Sequence, residues 1–208
     1  AFLARYNRVE GLFLGLRVPG SLFTRRYARN LSFSGHVGYG FKSEQWRYRA
    51  ALERWLFDEF KMTLGMEVHD LTDTQDTWII PTFENSLAAF LLHEDFHDFY
   101  RREGWSLYVS QNFGYDLKLK FGFHYDQFYS MRNTNDWALF GGGKHFRTNP
   151  AVDEGMIRSW SGTLTLDTRD YPESPERGWN VTVFAEIAGR DLKSDYSFDR
   201  LLLDVRRY

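Results

Sequence analysis

Residues 93–97 of this chain read His-Glu-Asp-Phe-His, an H-E-x-x-H spacing. On a helix that spacing puts two imidazoles on one face, where His93 and His97 would hold zinc and Glu94 would serve as general base. The flanks permit a helix, because residues 84–101 follow Pro81 and set Leu92, Phe96 and Phe99 at helical spacing. The continuation DFYRREG lacks the Gly and His that metzincins require, and no further glutamate ligand is evident. A loop helix is the simpler reading; a zinc hydrolase is kept as the alternative. Gly141-Gly142-Gly143-Lys144 lacks both the spacing and the strand–helix flanks of a phosphate loop, and reads as a flexible loop. Several serines and six histidines allow too many Ser–His–Asp combinations for one to be assigned.

The elements around these residues are strands. Residues 159–188 hold two alternating runs joined by a polar turn with Pro172, Pro175 and Gly178. Alternation with period two means extended chain with one apolar and one polar face. The same pattern recurs at 5–18, 31–41, 46–54, 61–70, 105–113, 117–126 and 198–208. Pro19 and Gly20 end the first of these, and a basic, loop-like stretch follows to Asn30. A parity slip at Arg54–Trp55 suggests a bulge before a turn at Phe57–Phe60. In the clearest run, Leu117, Leu119, Phe121, Phe123 and Tyr125 alternate with Lys118, Lys120, Gly122, His124 and Asp126. A face with two lysines, a histidine and an aspartate suits a wet lumen, not a dry core. Glu67, His69, Glu186, Asp204 and Arg206 occupy the polar parity of their own runs and belong to the same expected lumen. They would pair into a network, line a water path, or simply form a solvated strand face.

About nine strands result, with long excursions at 71–103 and 131–156. If successive strands are antiparallel, both excursions fall on one side and the turns at 57–60, 114–116 and 169–178 on the other. Long external loops with short turns opposite is the outer-membrane arrangement. Trp46, Trp55, Trp105, Tyr129, Trp160 and Trp179 gather towards run ends, as in interfacial girdles, or else pack in a core.

Composition fits this class. Mean hydropathy is −0.50, yet aromatics make up 18% of the 208 residues. No run approaches the roughly eighteen apolar residues of a membrane helix, whereas a β-barrel needs only alternate apolar residues. A soluble sandwich or ligand-binding barrel is the competing class. A net charge of −2 gives no basic field for nucleic acid. The absence of Cys excludes disulfides and thiolate metal sites. No signal peptide is visible at Ala1, so the chain reads as mature or trimmed.

TLDTRDYPESPERGW (163–179), followed by a strand and then LLLDVRRY (201–208), resembles the barrel domain of the Omp85, or bacterial surface antigen, superfamily. Asp167, Arg169, Asp170, Pro175 and Gly178 are the positions that match its hairpin motif. RYNRVEGLFLGL (5–16) and YGFKSEQWRYRAALER (39–54) resemble early barrel strands of branches without a dedicated assembly role.

The resemblance implies an all-β, antiparallel transmembrane barrel of sixteen strands in the bacterial outer membrane. Residues 1–208 would be one incomplete barrel domain, carrying one short loop helix. No Arg-Gly-aromatic loop tip occurs, and no POTRA-like module precedes Ala1. The implied action is physical, without a cofactor or catalytic residue: inserting or translocating polypeptides, or anchoring and exporting a fused domain. Lipid is the expected partner, with a polypeptide substrate or other outer-membrane subunits. An accessory subunit of a larger outer-membrane assembly is the alternative role.

Overall fold

The computed structural model describes residues 1–18, 31–56, 62–171 and 174–208. Pro19, Gly20, the stretch to Asn30, the turn at 57–60 and Pro172 lie outside the described residues. The described residues form ten strands and one α-helix. The strands are β1 (Phe2–Asn7), β2 (Gly11–Val18), β3 (Leu31–Gly40), β4 (Gln45–Leu56), β5 (Met62–Asp73), β6 (Tyr100–Phe113), β7 (Leu117–Ser130), β8 (Gly155–Asp167), β9 (Trp179–Ala188) and β10 (Phe198–Arg207). Helix α1 spans Thr82–Leu92. Each strand pairs antiparallel with the next, so the sheet is one meander with β1 and β10 at its edges.

Ten strands replace the expected nine because residues 5–18 are a hairpin and not one run. Asn7 turns the chain: its Oδ1 accepts from the Val9 and Glu10 amides at 3.0 and 2.7 Å. Gly11 then takes φ +65°, a left-handed value that a side chain resists. The bulge expected at Arg54–Trp55 is absent, since the β4–β5 register runs unbroken from Tyr48↔Asp70 to Leu56↔Met62. The excursions shrink to 74–99 and 131–154, because β5 extends to Asp73 and β6 begins at Tyr100. Both follow odd-numbered strands and leave the same end of the sheet, here called the upper end.

The sheet is inside out by the standard of a water-soluble protein. Leu64, Met66, Phe121, Trp160 and Ile187 are 48–59% exposed, while His69, Ser106 and Asp126 on the opposite face are 3–5% exposed. The apolar band also crosses the ladder obliquely. Its uppermost member is Leu12 on β2, Trp46 on β4, Val68 on β5, Trp105 on β6, Tyr125 on β7, Ile187 on β9 and Leu201 on β10. Traced through the registers, that limit descends ten residues relative to the ladder rows between β2 and β10. The lower limit moves the same way, from Leu31 on β3 to Trp179 on β9.

At the centre the upper limit is sharp. Trp105 and Tyr125 pair and stack at 5.7 Å, and the next row on that face is Asp70, Glu103 and Gln127. Trp105 and Trp160 therefore lie inside their strands and not at strand ends. There the strands continue past the band, whereas Trp46, Trp55, Tyr129 and Trp179 do lie at or next to strand ends.

Candidate functional site

The polar face carries a ladder of paired charges. Glu67, His69, Lys118, Lys120, His124, Asp126, Glu186, Asp204 and Arg206 all fall on it by register. His69 Nε2 lies 2.9 Å from Asp126 Oδ1, although β6 runs between their strands. Gly104 makes that reach possible: a Cβ there would stand 2.5 Å from Asp126 Oδ1. His69 Nδ1 faces Glu67 Oε1 at 3.4 Å, and Arg49 binds Glu67 at 2.6 Å. Tyr108 crosses Gly65 in the same manner and donates to Glu53 Oε1 at 2.6 Å, with Lys120 Nζ 3.8 Å above its ring.

Towards β10 the network continues. His124 Nε2 meets Ser161 Oγ at 2.8 Å, and Ser159 Oγ donates to Glu186 Oε1 at 2.6 Å. Arg102 reaches Asp73 at 3.0 Å and Asp126 at 3.8 Å. Asp73, Arg102, His124, Asp126 and Glu186 line a pocket of about 560 Å³ with Tyr100 and Arg200. Asp204 and Arg206 pair at 2.7 Å on the edge strand, apart from this cluster. Lys118 lines a separate pocket near Trp55 and Asp167 at the lower end. Fixed polar groups of both signs, held by neighbouring partners, can border water; His124 and Ser161 bond each other, and among the described residues no hydrogen bond joins a third group to the His124 ring.

Over the upper end, both excursions fold onto the β1–β2 turn. Arg8, whose side chain is fully buried, is the hub. Its backbone N–H donates to Asp95 Oδ2 at 2.9 Å, and its guanidinium donates to Asp95 O, Asp98 Oδ1 and Asn149 Oδ1 at 2.9–3.1 Å. Burial lowers the Arg8 pKa, opposed by the charges of Asp95 and Asp98. Asn85 of α1 donates to Asp95 Oδ1 at 2.8 Å, and Asn149 clamps Phe99 and Met131 through their carbonyls. Thr134 and Asn135 amides both donate to Arg8 O at 3.0 Å. Each partner is remote in sequence, so alternation cannot reveal it. The signal within reach is the charged Arg-Val-Glu set between Asn7 and Gly11.

The His-Glu-Asp-Phe-His segment belongs to this cap, and its helical reading is corrected. Helix α1 ends at Leu92, and His93 is its left-handed terminal residue at φ 64°. His93 Nε2 then meets Asp136 Oδ1 at 2.9 Å, whereas His97 Nε2 meets the Ile80 carbonyl at 2.9 Å. The imidazoles thus serve different partners, and Glu94 pairs outward with Lys144 at 3.0 Å. Among the described residues no three His, Asp or Glu groups converge as metal ligands would. His145, the Phe146 amide and His93 all bond Asp136 and hold its carboxyl below the usual range.

The motif hairpin comes together at the lower end. Arg169 binds Asp167 through Nε and Nη2 at 2.8 and 2.7 Å. Some loss of hydration opposes ionisation of Asp170, but the Arg177, Tyr171 and Glu176 amides bond it and hold its pKa below the ordinary value. Pro175 lies within this loop, and Gly178 closes it at φ +119°.

Comparison with curated proteins finds no match. A family model described as "Family of unknown function (DUF5686) C-terminal domain" matches residues 1–159, which takes in the Arg8 turn, the cap and β1 to β7. The chain belongs to the DUF5686 family and carries its C-terminal domain.

Proposed function

We propose that the sheet is a section of a transmembrane β-barrel wall in a bacterial outer membrane, with further strands completing the wall between β10 and β1. The observation that carries this reading is the oblique apolar band. A descent of ten residues over eight strand-to-strand steps is about 4 Å of climb per 4.8 Å of lateral spacing. That corresponds to strands tilted about 40° from the normal of a level slab, within the usual 35–45° of barrels. On β7 the band runs from Leu117 to Tyr125, about 27 Å of strand and about 21 Å of height at that tilt. Outer-membrane barrels present an apolar band of about 25 Å. A soluble sandwich would bury this face and expose the polar one.

Within that frame the resemblance to Omp85 barrels supports a physical role for the domain. It inserts or translocates polypeptide, or anchors and exports a fused domain, with the charged polar face as the wet lumen wall. Single cysteines placed in turn at positions 117 to 125, in outer-membrane vesicles, test the reading. Odd positions should take a lipophilic maleimide and even positions a small aqueous one. Uniform aqueous labelling, or absence of the protein from the membrane fraction, would refute it.

A further inference from the structure

Helix α1 wears its apolar side outward. Asn85 and Ala89 face the cap and are buried, while Phe83, Leu87 and Phe90, at i, i+4 and i+7, are 71, 44 and 37% exposed. A helix packed on a soluble core has the reverse arrangement. The next excursion enlarges the patch. Leu139 and Phe140 amides donate to the Phe90 and Leu91 carbonyls at 2.8 and 3.0 Å, which sets Trp137, Leu139 and Phe140 beside the helix end. Phe140 is 71% exposed.

The patch is continuous with the apolar band. Tyr6 on β1 pairs with Leu12, the band's uppermost residue on β2, and so shares its face. Its ring is covered by Phe90 at 5.3 Å and Trp137 at 6.5 Å, and its hydroxyl donates to the Trp137 carbonyl at 2.6 Å. Ser86 Oγ accepts the outward Tyr6 amide at 3.1 Å, so α1 rests against the upper part of the β1 edge. The greasy side of the cap therefore begins where the band's apolar side chains end.

We propose that α1 with the 137–140 segment is an interfacial element of the cap, seated in the bilayer leaflet at the upper rim of the band. The inference rests on the membrane reading above. A helix with apolar residues on one side, held parallel to the surface, gains by burying them at the headgroup–acyl boundary, and Trp and Tyr favour that depth. Here the protein fixes the helix from behind through Asn85, Ser86 and Tyr6, so the lipid contact is prearranged.

The test uses the full-length protein in phosphatidylethanolamine–phosphatidylglycerol vesicles, with single nitroxide labels at Phe83→Cys, Leu87→Cys or Phe140→Cys. Phe121→Cys reports the band itself, and Tyr115→Cys, at a 97% exposed turn residue, reports water. The ratio of oxygen to nickel-chelate accessibility should be several-fold higher at the three cap positions than at Tyr115. Aqueous values at the cap with a lipid value at Phe121 would overturn the proposal and leave the barrel standing. Exclusion of both reagents from the cap would overturn it in favour of a protein partner. An aqueous value at Phe121 would overturn the barrel reading, and this inference with it.

Discussion

Arg8 and Asp95, 87 residues apart, meet with neither side chain exposed, their nearest charged atoms 3.5 Å apart. The contact ties the first hairpin of the sheet to the excursion after β5, and Asn149 adds the excursion after β7 through the same guanidinium. One side chain thus fastens both long loops over one corner of the sheet. A buried ion pair gives little net stability over an apolar pair, but losing one partner strands the other without water.

Asp95→Ala should therefore release the cap without unravelling the sheet. The cost should be about 3–5 kcal/mol, the range for breaking a buried pair. Limited proteolysis would then cut within 74–99 and 131–154, while the strands stay protected. Cap loops as resistant as in the parent protein would show that Arg8 is not the fastening point.

Asp136 gives a pH test. Its carboxyl is held below the ordinary range by His145, the Phe146 amide and His93. A depressed carboxylate pKa stabilises the fold fully above the unfolded value, near 3.9, and the benefit is lost as pH falls through the folded value. Acidification from pH 7 to about 4 should leave the Asp136 13C carboxyl resonance at its ionised position. A midpoint at or above the ordinary value would contradict the bonding seen here.

The strands were legible because alternation records which residues meet which surroundings, whatever closes the sheet. Leu117 to Asp126 alternate without a fault, and the structure pairs them without a fault. The first hairpin was not legible, because Leu12, Leu14 and Leu16 continue one parity while Asn7, a polar residue without Pro beside it, makes the turn. At Arg54–Trp55 the parity of the sequence slips while the backbone register does not. Arg54 sits at the lower limit of the apolar face and Trp55 turns to the polar one, in perfect register. The cap depends on partners as distant as Arg8 and Asn149, and local pattern carries no trace of such pairs.

Glycines that let side chains cross a strand should be the least replaceable in the sheet. A Cβ at Gly104 would meet the Tyr125 carbonyl at 2.0 Å, and one at Gly65 would meet the Tyr108 ring at 2.2 Å. At Gly162 the nearest atom is 3.4 Å away, on the Phe121 ring. Gly104→Ala and Gly65→Ala should each cost about 1–3 kcal/mol by overpacking. Gly162→Ala should be near neutral. Urea unfolding of the three variants in detergent, followed by heat-modifiable gel mobility, ranks them; an equal ranking would show that the crossings are dispensable.

The closing residue of the motif hairpin should be more demanding than its turn geometry alone suggests. Gly178 sits at φ +119°, and a Cβ there would approach the Thr168 carbonyl oxygen to 2.4 Å. That stretch of backbone is already committed: the Thr168 amide donates to Trp179 O at 2.8 Å, and Tyr208 N donates to Gly178 O at 3.0 Å. Relief by movement would therefore open the β8–β9 hairpin and loosen the last residue of the chain from it. Gly114, at φ +66° in the turn between β6 and β7, has nothing within 4 Å of its would-be Cβ. Both sites pay for a side chain at positive φ, about 1–3 kcal/mol, but Gly178 adds a backbone collision. Gly178→Ala should lower the unfolding temperature clearly more than Gly114→Ala, and should expose 168–178 to protease. Equal losses would mean that the hairpin tip is free to rearrange, and that its Asp167–Arg169 pair and Asp170 amide cluster do not hold it.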